Sequence, residues 1–234
     1  VVDIDLVADD CRRLLQIAGL AFKTVGSARA RGAQTYAVEW RAAAALADAE
    51  KRQPRLVTPP AWLVVCADIA LAEAIAAPMR ARGQSVVVAN GGVQTAPGDI
   101  SSCDIVVHAF GPSAARDPLA PSLSSCLDLL RSIHALTDDT VKRTPRFHAV
   151  TCGAQAVSQG DVAVLEQAPL WGVMRTLANE HAELKSSVID LPAVPTTADL
   201  ETLATVLIER NEDQVAIRGG GALFPRLLPV DLTA

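Results

Sequence analysis

Aromatic side chains are scarce in this sequence: its 234 residues hold 3 Trp, 4 Phe and 1 Tyr. So few rings leave little for stacking nucleic-acid bases. They also require a core built from Ala, Val, Leu and Ile. A basic excess is missing as well. Lys and Arg number 21 against 26 Asp and Glu, giving a net charge of -5 and a pI near 5.4. That balance gives no electrostatic footprint for nucleic acid or an anionic membrane surface. The 5 cysteines, Cys11, Cys66, Cys103, Cys126 and Cys152, are odd in number and contain no CxxC pair. They read as reduced thiols of a cytoplasmic chain, not as a disulfide framework. No apolar run reaches the length that a bilayer-spanning helix demands. Neither a basic leader nor a starting Met precedes Val1-Val2-Asp3, so the chain reads as a piece of a longer polypeptide.

What is present is a hydrophobic fraction of 50% and a mean hydropathy of +0.26, which exclude disorder. At roughly 150 residues per domain the length suggests about 1.6 domains. From Ala61 onward, short apolar runs alternate with stretches of helical period. The runs are Trp62–Cys66, Ser85–Ala89, Asp104–His108, Phe147–Thr151, Ser187–Leu191 and Gln214–Ile217. Between them, helical spacing appears over Asp68–Arg82, over Pro121–Leu136 (Leu123, Cys126, Leu127, Leu130), at Leu170, Val173, Met174 and Leu177, and at Leu200, Leu203, Ala204 and Leu207. Near-continuous apolar strands separated by helices predict a doubly wound, mostly parallel, truncated Rossmann-like sheet. Pro78 is expected to kink its helix or end its first segment near Ala77.

The first 60 residues differ. Val1–Val7 and Leu14–Phe22 alternate like two strands with Asp9-Asp10 as their turn, and Thr35–Trp40 reads as a third. Gly26–Gly32 and the Ala-rich stretch Ala42–Gln53, closed by Pro54, Pro59 and Pro60, look like connector. The expected organisation is a β-rich tail or linker over 1–26, an interdomain linker with one short strand over 27–60, and a Rossmann-like subdomain over 61–234.

Such a sheet offers a nucleotide site where its first strand meets its first helix, and glycines there let the backbone approach a pyrophosphate. No glycine occurs between Trp62 and Gly83. Asp68 stands at the helix N-cap, where its carboxylate satisfies free N–H groups and repels phosphate. A short-chain reductase further needs a YxxxK pair and a Ser at the end of the fourth strand. That strand ends at Thr151-Cys152-Gly153, and neither Tyr nor Lys lies between Cys152 and Lys185. The lone Tyr36 sits in the connector with Trp40 four residues on.

Other chemistry-bearing residues have simpler readings. His148 and Cys152 share a strand face but stand roughly 13 Å apart, too far for a shared metal or a thiolate–imidazole pair. His134 and His181 fall near helix C-termini, where an imidazole complements the dipole. His108 ends a strand before Phe110-Gly111-Pro112, at the rim where a doubly wound fold keeps its site. Asp190 closes a strand and should bond loop backbone. Asn90-Gly91-Gly92 and Gly219-Gly220-Gly221 read as turns. No GxSxG, HExxH, Walker loop or zinc-spaced cluster occurs. The residue reading therefore expects no catalytic, cofactor-binding or metal residue. An NADPH-dependent reductase with an atypical site near Cys66, His108 and Cys152 is the alternative, and a free-standing interaction module is a third.

Several blocks resemble the ketoreductase region of type I modular polyketide synthases. Ala168-Pro169-Leu170-Trp171-Gly172, Asn179 through Leu184, and Val188-Ile189-Asp190-Leu191-Pro192 are similar, in that order, to "APLWGLGR…EHPEL…IDLDP". Tyr36–Trp40, Phe147–Ala156, Gln214–Arg218 and Pro225-Arg226-Leu227 resemble flanking strands of the same half, and Leu14–Leu20 is similar to the last strand of a preceding dehydratase. Cys152 departs from the Arg common there. The resemblance implies a structural, non-catalytic subdomain or pseudo-ketoreductase, not itself an enzyme and without its own cofactor. It would come from a fully reducing module of a polyketide or methyl-branched fatty acid synthase. Its implied partners are the dehydratase, enoylreductase and catalytic ketoreductase domains of one homodimeric chain that uses NADPH and a phosphopantetheine carrier.

Overall fold

The apolar runs form strands because they are buried on both faces, where branched side chains fit a pleated surface. The computed structural model describes residues 2–7, 13–20, 35–42, 60–93, 102–111, 117–138, 141, 143–158, 160–209 and 212–230. β1 (Val2–Val7) and β2 (Arg13–Leu20) make an antiparallel two-stranded sheet. The chain continues through β3 (Thr35–Ala42), β4 (Ala61–Cys66), α1 (Ile69–Ala81), β5 (Ser85–Asn90), β6 (Ile105–Ala109), α2 (Leu119–Thr137) and β7 (Arg146–Cys152). It ends with α3 (Ala168–Glu180), β8 (Ser187–Leu191), α4 (Thr197–Glu209), β9 (Gln214–Arg218) and β10 (Gly221–Val230). By internal contacts it divides into Val1–Ala37 with Pro229–Ala234, and Val38–Leu228.

Eight strands form the main sheet in the order β3-β10-β9-β8-β7-β6-β4-β5. The pairings β5–β4, β4–β6, β6–β7, β7–β8 and β8–β9 are all parallel, whereas β10 returns antiparallel on β9. This is the open, mostly parallel, Rossmann-like α/β architecture that the periodicity predicts. Alternate residues of each strand feed two cores. Trp62, Val64, Val107 and Val150 meet α1 and α4 through Ile75, Met79, Leu203 and Leu207. Leu63, Val106, Phe147 and Val188 meet α2 and α3 through Leu129, Leu170, Trp171 and Met174. The strand expected at Thr35–Trp40 is present as β3, at one edge of the sheet. The Asp9-Asp10 turn, Gly26–Gly32 and residues 43–59 lie outside the described residues.

Two helix expectations are corrected. α1 runs through Pro78 to Ala81 instead of breaking near Ala77. Pro78 lies in the last turn, so its missing N–H removes one bond near the helix end, and its ring is buried in the core. In α2 only Cys126 of the stripe Leu123, Cys126, Leu127 and Leu130 packs on the core, and the three leucines face outward. Leu129, Ser132, Ile133 and Leu136 are buried, while Leu119, Leu123, Leu127 and Leu130 are 73%, 60%, 42% and 42% exposed. The helix carries two apolar stripes, and only one of them meets the sheet.

Candidate functional site

The β4–α1 turn is closed by its own side chain. Asp68 is the N-cap of α1, and its Oδ1 accepts from the backbone N–H of Ala70 at 3.0 Å and of Leu71 at 3.2 Å. These are the donors that a pyrophosphate would need. Gly111, just after β6, lies close to this cap: a Cβ added there would stand 3.4 Å from Asp68 Cβ. The turn, with a carboxylate where phosphate should rest, does not fit a dinucleotide.

The C-terminal end of β7 opens on a hydrogen-bonded network. Thr151 Oγ1 donates to Asp190 Oδ1 at 2.6 Å and accepts from the Trp171 indole N–H at 3.1 Å. Asp190, wholly buried, also accepts from the Ala154 N–H at 2.7 Å and the Gln155 N–H at 3.2 Å. Arg218 Nη2 completes the set at 2.6 Å from Asp190 Oδ2 and at 2.7 Å from the Gln155 carbonyl. Asp190 thus bonds loop backbone as expected. Trp40 of β3 packs edge-on against Trp171, with ring centroids 6.0 Å apart. Tyr36, on the same strand, is half exposed.

His108, His148, Cys66 and Cys152 are buried in or beside the sheet. His108 is buried, bonded through Nδ1 to Ser132 Oγ at 3.0 Å and stacked on Phe110. Burial lowers its pKa to about 4. His148 shares 2.7 Å with Ser187 Oγ and stacks on Trp62, and its Nε2 is buried without a hydrogen-bond partner. Burial, aided by the Arg146 charge, lowers its pKa to about 3. Burial, with the nearby Asp190 carboxylate, pushes the Cys152 thiol up to about 12, and burial also raises Cys66. Burial therefore disfavours the reactive thiolate form of both. His134 is exposed in the last turn of α2, and His181, at the C-cap of α3, pairs with Glu183 Oε1 at 2.9 Å. Among the described residues no group of three His, Cys, Asp or Glu is placed to hold a metal. Gly219 and Gly220 form the β9–β10 turn, and the Gly91 N–H donates to the Cys66 carbonyl at 3.0 Å, just past the end of the β4–β5 pairing.

Sequence reasoning passed over one arrangement. Arg175 of α3 donates through Nε and Nη2 to Gln214 Oε1 at 3.2 and 3.0 Å. It lines an open cleft of about 530 Å³ whose other walls are Val38, Glu39 and Trp40 of β3, residues 155–158 and Pro225. Arg175 and Gln214 lie 39 residues apart, and no local pattern couples them. Among the described residues, no helix is long and apolar enough to cross a membrane.

The family described as "Polyketide synthase extender module SpnB, Rossmann fold domain" matches residues 23–227. The chain is 33% identical over 131 residues to a phenolphthiocerol/phthiocerol polyketide synthase of Mycobacterium tuberculosis, covering 52% of this chain and 6% of that protein. It is 37% identical over 128 residues to pikromycin polyketide synthase component PikAII of Streptomyces venezuelae, covering 54% of this chain and 3% of that protein. It therefore spans a small fraction of either relative. Among solved structures, a C2-type ketoreductase from a modular polyketide synthase superposes with a TM-score of 0.64 at 29% identity, covering 85% of this chain and 44% of the other. A-type ketoreductases share the fold at 23% identity, with a TM-score of 0.55. These matches overturn the expectation that the chain is not an enzyme: what it resembles in sequence and structure is a ketoreductase, and the comparison points to enzyme.

Proposed function

The chain belongs to the SpnB-type Rossmann fold domain family of polyketide synthases, and we propose that it is one lobe of an NADPH-dependent ketoreductase that reduces a keto group on a growing polyketide. The observation that carries this reading is the ketoreductase match, which covers most of this chain but 44% of the other. The remainder of such an enzyme supplies what this lobe lacks, a glycine-lined turn for NADPH and a Tyr/Lys pair for proton donation. Asp68 closes the equivalent turn here, which supports a cofactor site on the other lobe.

The exposed α2 stripe supports a second lobe as neighbour. Leu119, Leu123, Leu127 and Leu130 form an exposed apolar row on α2, and Gly172 of α3 is exposed with open space where a Cβ would stand. A row of leucines beside a flat helix face suits packing against another helix pair. The row would then join this lobe to its neighbour within the reductase. The sequence resemblances extend the reading to a fully reducing module, with dehydratase and enoylreductase domains on the same homodimeric chain.

The test is NADPH oxidation with a β-keto thioester, followed in the intact protein. Leu123→Asp with Leu127→Asp should lower kcat/KM by about tenfold or more, equivalent to ~1.4 kcal/mol of transition-state stabilisation. Asp68→Ala should leave the KM for NADPH unchanged. A raised KM in that variant would place the cofactor on this lobe, and unchanged turnover in the leucine variant would remove the docking role.

A further inference from the structure

Hydrogen bonds and one ring contact hold most of the lining of the Arg175 cleft. Gln155 is tied through its N–H to Asp190 and through its carbonyl to Arg218. Asp161 Oδ2 accepts from the Val157 and Ser158 N–H groups at 3.0 and 2.9 Å. Trp40 is held on Trp171, and Gln214 fixes the Arg175 head. A cleft whose walls are set before anything enters costs little ordering on binding.

Its charge pattern is specific. Gln214 is neutral, so it orients the guanidinium without neutralising it. A guanidinium has five N–H donors and two are used here, leaving three with no acceptor side chain among the described residues. No described carboxylate pairs with Arg175. Glu39, the acid on the opposite wall, is already paired with Arg41 at 3.4 Å. Val38, Val157 and Pro225 supply apolar wall beside the cation, and the volume of about 530 Å³ falls in the range of small-molecule sites.

We propose that this cleft binds a small organic anion, a carboxylate or phosphate head on Arg175 with an apolar or linear body along Val38, Trp40 and Pro225. This goes beyond the ketoreductase reading and does not rest on it. A planar guanidinium pre-oriented by a neutral amide is suited to either oxoanion head.

Hydrogen exchange followed by mass spectrometry in the intact protein localises the effect to the cleft, so other ligand sites do not interfere. Three probes separate the sources: octanoate for a carboxylate with an apolar body, phosphopantetheine for a phosphate with a linear body, and inorganic phosphate for the head alone. At millimolar concentration, octanoate or phosphopantetheine should slow exchange in peptides covering residues 38–42 and 155–158 by about twofold or more. The one that does so identifies the head group, and inorganic phosphate should have a weaker effect. Arg175→Ala should abolish the protection, and Gln214→Ala should reduce it while keeping the charge. Unchanged exchange in β7 and β8 of each variant confirms that the fold survives. No protection by any probe, equal protection in Arg175→Ala, or protection by inorganic phosphate as strong as by the other two would overturn the proposal.

Discussion

Asp190 and Arg218 meet at 2.6 Å with the carboxylate fully buried and the guanidinium side chain 22% exposed. The pair lies between β8 and β9 and gathers the loop after β7 through Ala154 and Gln155. Removing the carboxylate leaves an arginine, two backbone N–H groups and the Thr151 hydroxyl without their acceptor. Asp190→Ala should therefore destabilise by about 3–5 kcal/mol. Urea unfolding measures this, and a loss under about 1 kcal/mol would show that water replaces the carboxylate at no great cost.

Trp171 is 2% exposed and joins the core to Thr151 and Trp40. Trp171→Ala should cost about 3–5 kcal/mol in the same measurement. Trp171→Phe keeps most of the buried area and loses only the indole N–H, so it should cost distinctly less.

The buried histidines set an acid limit. Folding holds His108 and His148 neutral, with pKa values lowered from 6.5 to about 4 and about 3. The unfolded chain takes up these protons first as pH falls. Their stabilisation is thus complete above pH ~6.5 and is lost on acidification toward the folded values, about 2 kcal/mol for each by pH 5. The urea midpoint should fall between pH 7 and pH 5. In His148→Gln that fall should shrink by about half, and an unchanged fall would show that other groups titrate.

Leu123 and Leu127 should tolerate polar substitution in the unfolding of the isolated lobe. Each change to Gln should shift stability by less than about 0.5 kcal/mol, because the side chains face outward. Leu129→Ala, one position from Leu130 but on the core face, should cost about 2–5 kcal/mol. Equal losses would mean that both stripes are covered.

The contrast between Leu127 and Leu129 also shows where the sequence runs out. Helical periodicity reports that a stripe exists but not what covers it, and α2 has two. The strands from β4 to β9 were legible because burial on both faces leaves an almost pure apolar run. Asp68 was legible because a cap acts over two or three residues. The Asp190 corner was half legible. Its bonds to loop backbone follow from a carboxylate closing a strand, but its partners Thr151 and Arg218 lie 39 and 28 residues away. Arg175 with Gln214 left no local trace. Pro78 misled because the rule against helix-interior proline weakens within one turn of the C-terminus.

The strand order carries a consequence for synthesis on the ribosome. After β4 and β5, strands β6, β7, β8, β9 and β10 each pair beside the one made just before or beside β4, so the sheet extends outward as the chain emerges. β3 breaks the sequence. It is translated before all of them, yet its neighbour is β10, the last strand made. The chain must therefore keep Val38 and Trp40 unpaired until β10 has emerged, and the cleft they line is completed only then.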